Sequence, residues 1–128
     1  MDEVEALKRE AGIAACSFVR GGMTLGLGTG STVRYTVLEI GRMISEEGLD
    51  VVGVSTSEAT RELAEGLGIP LLELEDAGRI DLTIDGADEF DPDFQLIKGG
   101  GGALTREKRV AAASEAMVVV ADDRKQVP

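Results

Sequence analysis

The sequence predicts an α/β chain, a mostly parallel sheet flanked by helices. Three observations lead there. Some segments carry apolar residues at helical spacing, others are apolar runs of only four or five residues, and the two kinds alternate along the chain. Strands that alternate with helices join through right-handed crossovers, so successive strands should lie parallel.

Val4, Leu7, Ala11, Ala14 or Ala15 and Phe18 recur at helical spacing, which predicts a helix over residues 2–19. Residues 23–27 read as a strand and 31–46 as a second helix with Val33, Val37, Ile40 and Ile44 on its buried face. Next come a strand over 51–54, a helix over 57–67 stopped at Gly68, and strands over 69–72 and 80–84. A short strand over 94–97, placed to pair with the preceding one as a hairpin, a helix over 104–116 and an apolar strand over 117–121 complete the chain. No repeat, low-complexity tract or linker interrupts it, so one domain is expected.

Composition narrows the function. The chain has 128 residues, of which 43% are hydrophobic and 3% aromatic, with no tryptophan, so its core must be aliphatic. A net charge of −11 and a pI near 4.4 argue against nucleic acid or an anionic membrane as partner, since both require a basic surface. Cys16 is alone, which removes a disulfide framework and a cysteine metal cluster; within the first helix it reads as a small core residue. Histidine is absent, and with it Ser-His catalysis, Cys-His catalysis and most zinc sites. The N-terminus is acidic and amphipathic, with neither a signal-peptide pattern nor a transmembrane run, from which a cytoplasmic protein is expected.

In open parallel sheets ligands bind beyond the carboxyl ends of the strands. The polar or glycine-rich segments at those ends are 28–32, 55–57, 85–88 and 98–102, and all four should face one cleft. The first lies in GLGTGSTV, a glycine-rich turn between strand and helix that offers amides and the hydroxyls of Thr29, Ser31 and Thr32 to a phosphate. It has no Walker lysine. Nor is it a dinucleotide fingerprint, because Ser31 holds the third glycine place and Ser55 stands where an acidic ribose ligand belongs. A single monophosphate fits better, although Ser31 or Thr29 could equally serve as a plain helix cap. In the segment 55–57, Ser57 reads as a cap.

The chemistry concentrates in IDGADEF and IKGGGGALTREK. Asp85 and Asp88 should project from a strand end, and Lys98 closes the next apolar run. Four glycines, 99–102, let bare amides approach an anion, and Glu107 falls one turn into the following helix as a candidate general base. Each residue has an ordinary explanation: a solvated helix charge for Glu107, a strand-end lysine for Lys98, turn formation for the two aspartates. Four glycines in a row, however, carry an entropic cost that a plain connection has no reason to accept.

GTGST at 28–32, STSEAT at 55–60, DGADE at 85–89, KGGGGALTREK at 98–108 and the KQV that includes Lys125 together resemble ribose-5-phosphate isomerase of the A type. That resemblance implies a Rossmann-like sheet and an aldose-ketose isomerase working through an enediolate in the non-oxidative pentose phosphate branch. Thr29, Gly30, Ser31 and Thr32 would bind substrate, chiefly its phosphate. Asp85, Gly86, Ala87, Asp88, Lys98, Gly99, Gly100 and Gly101 would line the sugar. Glu107 would accept the proton, Asp85 and Lys98 would assist, and Lys125 would add a substrate contact. Lys8 is a looser candidate for the phosphate. Neither metal nor organic cofactor is implied, and the full-length form would be a homo-oligomer. Members of that family are longer and continue into a smaller α+β portion that this chain lacks, so residues 1–128 are expected to be the Rossmann-like catalytic domain of a longer protein. A non-catalytic sugar-phosphate sensor and an isomerase of another aldose phosphate remain the alternatives.

Overall fold

The computed structural model describes residues 3–86, 109–110 and 112–120. A helix α1, Glu3–Ala14, tightens into a 3-10 turn at Ala15–Phe18 and leads to strand β1, Thr24–Leu27. Helix α2, Ser31–Glu47, strand β2, Val52–Ser55, and helix α3, Glu58–Gly66, follow. A one-turn helix α4, Leu74–Ala77, precedes strand β3, Ile80–Gly86; strand β4 is Ser114–Val120. The four strands form one sheet in the order β2-β1-β3-β4 with every pairing parallel, as the alternating pattern predicts.

The core is aliphatic. Leu25 and Leu27 of β1 and Leu82 and Ile84 of β3 join Val33, Val37 and Ile40 of α2 in one buried cluster with Ala15, Cys16 and Val19. These strand residues alternate with Gly26 and Thr83, which point the other way: a Cβ added at Gly26 would meet Val110 Cγ1 at 2.9 Å. A second cluster of Val54, Leu74, Ile80 and Val110 is built with that segment. Burying such aliphatic side chains contributes roughly 1.5–3 kcal/mol each.

Helix α1 lies against the start of α2. Gly12 makes this possible, because any side chain there would run into the Thr32 carbonyl and Tyr35 Cβ, the latter at 2.8 Å. Thr36 Oγ1 donates to the Gly12 carbonyl at 2.6 Å, and the Tyr35 hydroxyl donates to Glu5 at 2.5 Å, which raises the Tyr35 pKa. The first turn of α2 is thereby braced from one side.

Three expectations are corrected. The regular helix ends at Ala14 instead of continuing to residue 19. In the 3-10 turn successive residues rotate by about 120° rather than 100°, so Ala15, Cys16 and Val19 turn inward and Phe18 is left 55% exposed. Residues 69–72 form a single parallel bridge, Gly53 with Leu71, and no strand, because Pro70 accepts from the Gly53 amide but has no N–H to extend a ladder. At the end of the chain, residues 114–116 are strand and not helix. Ser114 Oγ donates back to the Val110 carbonyl at 2.7 Å as the helical turn closes, and Ser114 already pairs with Ile80. Ser-Glu-Ala is a poor strand signal, tolerated because β4 ends the strand order and its first half is exposed on both faces: Glu115, Ala116 and Met117 are all exposed. The expected strand over 94–97 and the start of the helix at 104 lie outside the described residues.

Candidate functional site

Strand order fixes where a ligand can sit. β2 lies on one side of β1 and β3 on the other, so the connections leaving the carboxyl ends of β1 and β3 diverge and a crevice opens between them. The residues at its mouth are 28–30 after β1 and Asp85 and Gly86 at the end of β3. Residues 55–57 after β2 are next to them, since Leu27 pairs with Ser55 and the Thr56 amide donates to the Leu27 carbonyl at 3.0 Å. The described parts of three of the four expected segments, 28–30, 55–57 and 85–86, therefore meet, while 98–102 lies outside the described residues.

The turn after β1 is held at many points. The Gly28 amide continues the ladder to the Ile84 carbonyl at 2.8 Å. Asp85 is buried, and its Oδ1 accepts from the Thr29 amide at 3.3 Å and from the Gly86 amide at 2.9 Å. Gly28 has to be glycine for this contact, because a Cβ would stand 2.8 Å from the Asp85 Cα. On the β2 side the Thr29 and Thr56 hydroxyls are 3.0 Å apart, and Thr60 Oγ1 of α3 donates to the Gly28 carbonyl at 2.8 Å.

Gly30 then starts α2. Its φ of 121° is open only to glycine, and its carbonyl accepts from the Arg34 amide at 3.0 Å. Having no side chain, it cannot cap the helix, whereas the Ser57 hydroxyl caps α3 by accepting from the Thr60 amide at 3.2 Å. The capping role expected of Ser57 is confirmed. Neither Thr29 nor Ser31 caps α2: the N-cap position is Gly30, and Thr29 directs its hydroxyl to Thr56. The first amides of α2 thus open toward the crevice with the positive end of the helix dipole behind them, an arrangement that suits a phosphate.

Beside this turn a cleft of about 270 Å³ runs between α2 and α3, lined by Thr29, Gly30, Ser31, Arg34, Val37, Ala59, Thr60 and Leu63. Among those residues only Arg34 carries a charge, and its sign is favourable to an anion in a chain of net charge −11. Lys8 is on α1 with its Nζ 3.9 Å from Glu5, the same carboxylate that accepts from Tyr35. Of the remaining expected site residues, Ala87, Asp88, Lys98, Gly99, Gly100, Gly101, Glu107 and Lys125 lie outside the described residues. Among the described residues no three carboxylate or thiol groups are gathered as a metal site would require, and no helix is long and apolar enough to cross a membrane.

The family model of ribose 5-phosphate isomerase A (phosphoriboisomerase A) matches residues 52–128. The chain belongs to the ribose 5-phosphate isomerase A family. A ribose-5-phosphate isomerase A of Nitrobacter hamburgensis is 60% identical over 124 residues, 97% of this chain and 53% of that protein. Among solved structures, a ribose 5-phosphate isomerase from Plasmodium falciparum superposes with a TM-score of 0.77 at 45% identity over 90% of this chain and 50% of its own. A D-ribose-5-phosphate isomerase in complex with phospho-erythronic acid reaches 0.83 at 40% identity over 99% of this chain and 56% of its own. The chain thus spans about half the length of the relatives it matches.

Three residues of the site, Thr56, Thr60 and Arg34, are not marked as such by the sequence. The signal available was the STSEAT run itself, whose Ser57 and Thr60 are spaced as a helix cap and its partner; contact with Gly28, 32 positions away, needs the fold.

Proposed function

We propose that this chain is the catalytic, phosphate-gripping part of an isomerase that interconverts ribose 5-phosphate and ribulose 5-phosphate. One observation carries the reading: the uncapped N-terminus of α2 opens at the β1/β3 crevice beside the buried carboxylate of Asp85, which joins an anion site to a proton-handling group. Membership of the family and the phospho-erythronic acid named for one neighbour point to the same class of ligand.

The chemistry follows from what an aldose requires. Ring opening exposes the C1 carbonyl, and Asp85 assists proton traffic at the sugar oxygens. Glu107 then removes the proton from C2, the C1 oxygen becomes the negative end of an enediolate, the C2 hydroxyl passes its proton to the C1 oxygen, and Glu107 returns the carbon-bound proton to C1 as C2 becomes the carbonyl. Lys98 and the glycine amides at 99–101, with Gly102 beside them, stabilise the negative oxygen, a term commonly worth several kcal/mol. The amides of 30–32 hold the phosphate at the far end, Asp88, Gly86 and Ala87 line the sugar and Lys125 adds a contact. Proton transfer of this kind needs no metal. On the same reading the protein is cytoplasmic, acts in the non-oxidative pentose phosphate branch and is a homo-oligomer in its full-length form.

The test is ketose formation from ribose 5-phosphate by the wild-type chain and by Glu107→Gln. Placing a general base typically contributes about two to four powers of ten, so the variant should lose at least ~100-fold in kcat. Ketose production at an unchanged rate removes Glu107 from its role. Phosphate binding without any turnover in the wild type turns the reading into that of a sensor.

A further inference from the structure

The peptide between Gly28 and Thr29 is gripped at both ends by residues from different parts of the chain. Its carbonyl accepts from Thr60 Oγ1 at 2.8 Å and its N–H donates to Asp85 Oδ1 at 3.3 Å. Carbonyl and N–H of a trans peptide point in opposite directions in one plane, so α3 and β3 pull the plane from opposite sides and fix its rotation. That rotation would otherwise be loose, because Gly28 and Gly30 flank Thr29 and contribute no side chain to hold the turn. It decides where the next amides, those of Gly30 and the first turn of α2, point.

We propose that Thr60 is a positioning residue for the phosphate-binding turn, acting through the Gly28 carbonyl and not by touching the substrate phosphate. The inference rests on the sugar-phosphate reading given above and adds to it a residue that sets affinity for the anion. Thr60 is suited to the task. It is 7% exposed, its amide and hydroxyl are both tied to Ser57, and it sits in the first turn of a capped helix, so the donor has little freedom to move. Thr56, buried at the end of β2, adds a second hold: its amide binds the Leu27 carbonyl and its hydroxyl the Thr29 hydroxyl.

Thr60→Val and Thr60→Ser separate positioning from packing. Valine keeps the volume and a methyl group but cannot donate; serine keeps the donor and loses the methyl group. Binding of inorganic phosphate by isothermal titration calorimetry, together with KM and kcat for ribose 5-phosphate, reads the result. Thr60→Val should bind phosphate roughly ten-fold more weakly and raise KM by a similar factor with kcat changed less, the loss of about one buried hydrogen bond. Thr60→Ser should keep wild-type affinity even if its thermal midpoint falls. Should the valine variant fail to fold, Thr60→Cys, a weak donor of similar size to serine, replaces it with the same expectation. Equal phosphate affinity in wild type and the non-donating variant overturns the role of Thr60 and leaves the site reading intact. A serine variant as weak as the valine variant also overturns it, since packing alone would then explain the effect. Wild-type protein that binds no phosphate overturns the sugar-phosphate reading itself and the role of Thr60 with it.

Discussion

Removing the Asp85 carboxylate should unfasten the turn after β1, and the size of the effect follows from its hydrogen bonds. Oδ1 accepts from two amides, Thr29 at 3.3 Å and Gly86 at 2.9 Å, in a setting where Asp85 is only 5% exposed. Asp85→Ala leaves two donors without that acceptor, and an unsatisfied buried donor costs about 1–3 kcal/mol, so the variant should lose about 2–6 kcal/mol. That is a large part of the ~5–15 kcal/mol that holds a domain folded. Asp85→Asn keeps an acceptor oxygen and loses only the charge assistance, so its cost should be about 1–2 kcal/mol. Urea unfolding followed by circular dichroism measures both, and the amide resonances of Thr29 and Gly86 in nitrogen-15 correlation spectra report whether the bonds persist. The expected order is wild type, then Asn, then Ala, with both resonances displaced most in Ala. An alanine variant within ~0.5 kcal/mol of wild type, with the Thr29 resonance unmoved, would refute the claim that this carboxylate holds the turn. Activity is a separate axis. If Asp85 also moves protons during ring opening, Asp85→Asn loses turnover far beyond its loss of stability.

Gly28→Ala places a methyl group against the backbone of β3, 2.8 Å from the Asp85 Cα, where no flexible side-chain end can yield. It should destabilise the protein by about 1–3 kcal/mol and abolish detectable phosphate binding by calorimetry. Cys16 is buried, with Sγ directed at the Gly12 and Thr36 carbonyls, and desolvation, aided by Glu39, pushes its thiol up to about 12. The folded protein should therefore resist iodoacetamide at pH 8 and react quickly once unfolded. Because the raised pKa means that the folded state holds the proton more tightly, this thiol's contribution to stability is complete below about pH 9 and is lost as pH rises toward 12. Cys16→Ser or Cys16→Ala should remove that part of the alkaline fall in a pH series of urea midpoints.

The architecture was legible where local pattern and tertiary environment agree. Val33, Val37 and Ile40 are spaced for one helix face and all are buried in α2. Short apolar runs became β1, β2 and β3 because parallel strands are covered on both faces and need no polar alternation. Legibility failed where a single residue changed the local geometry. Pro70 limited an apolar run to one bridge, the 3-10 turn after Ala14 moved Phe18 outward, and Ser-Glu-Ala entered a strand that its composition disfavours. In the site, the turn 28–32 and Asp85 were recognisable as chemistry, while their mutual contact was not.

The sequence by itself determined that this is an α/β chain with an aliphatic core, that residues 1–128 offer no histidine for Ser-His or Cys-His catalysis, and that glycines and hydroxyls gather where strands end. Those are properties of residue type and spacing, which the chain carries whether or not it is folded. Only the tertiary structure decided that β1 lies between β2 and β3. That order brings Asp85 to Thr29 across 56 positions and Thr60 to Gly28 across 32, so that one peptide plane is held from both sides. The physical reason is that side-chain periodicity says which face of a strand is buried but contains no term for which strand becomes its neighbour; the choice is made by the helices packing across the sheet.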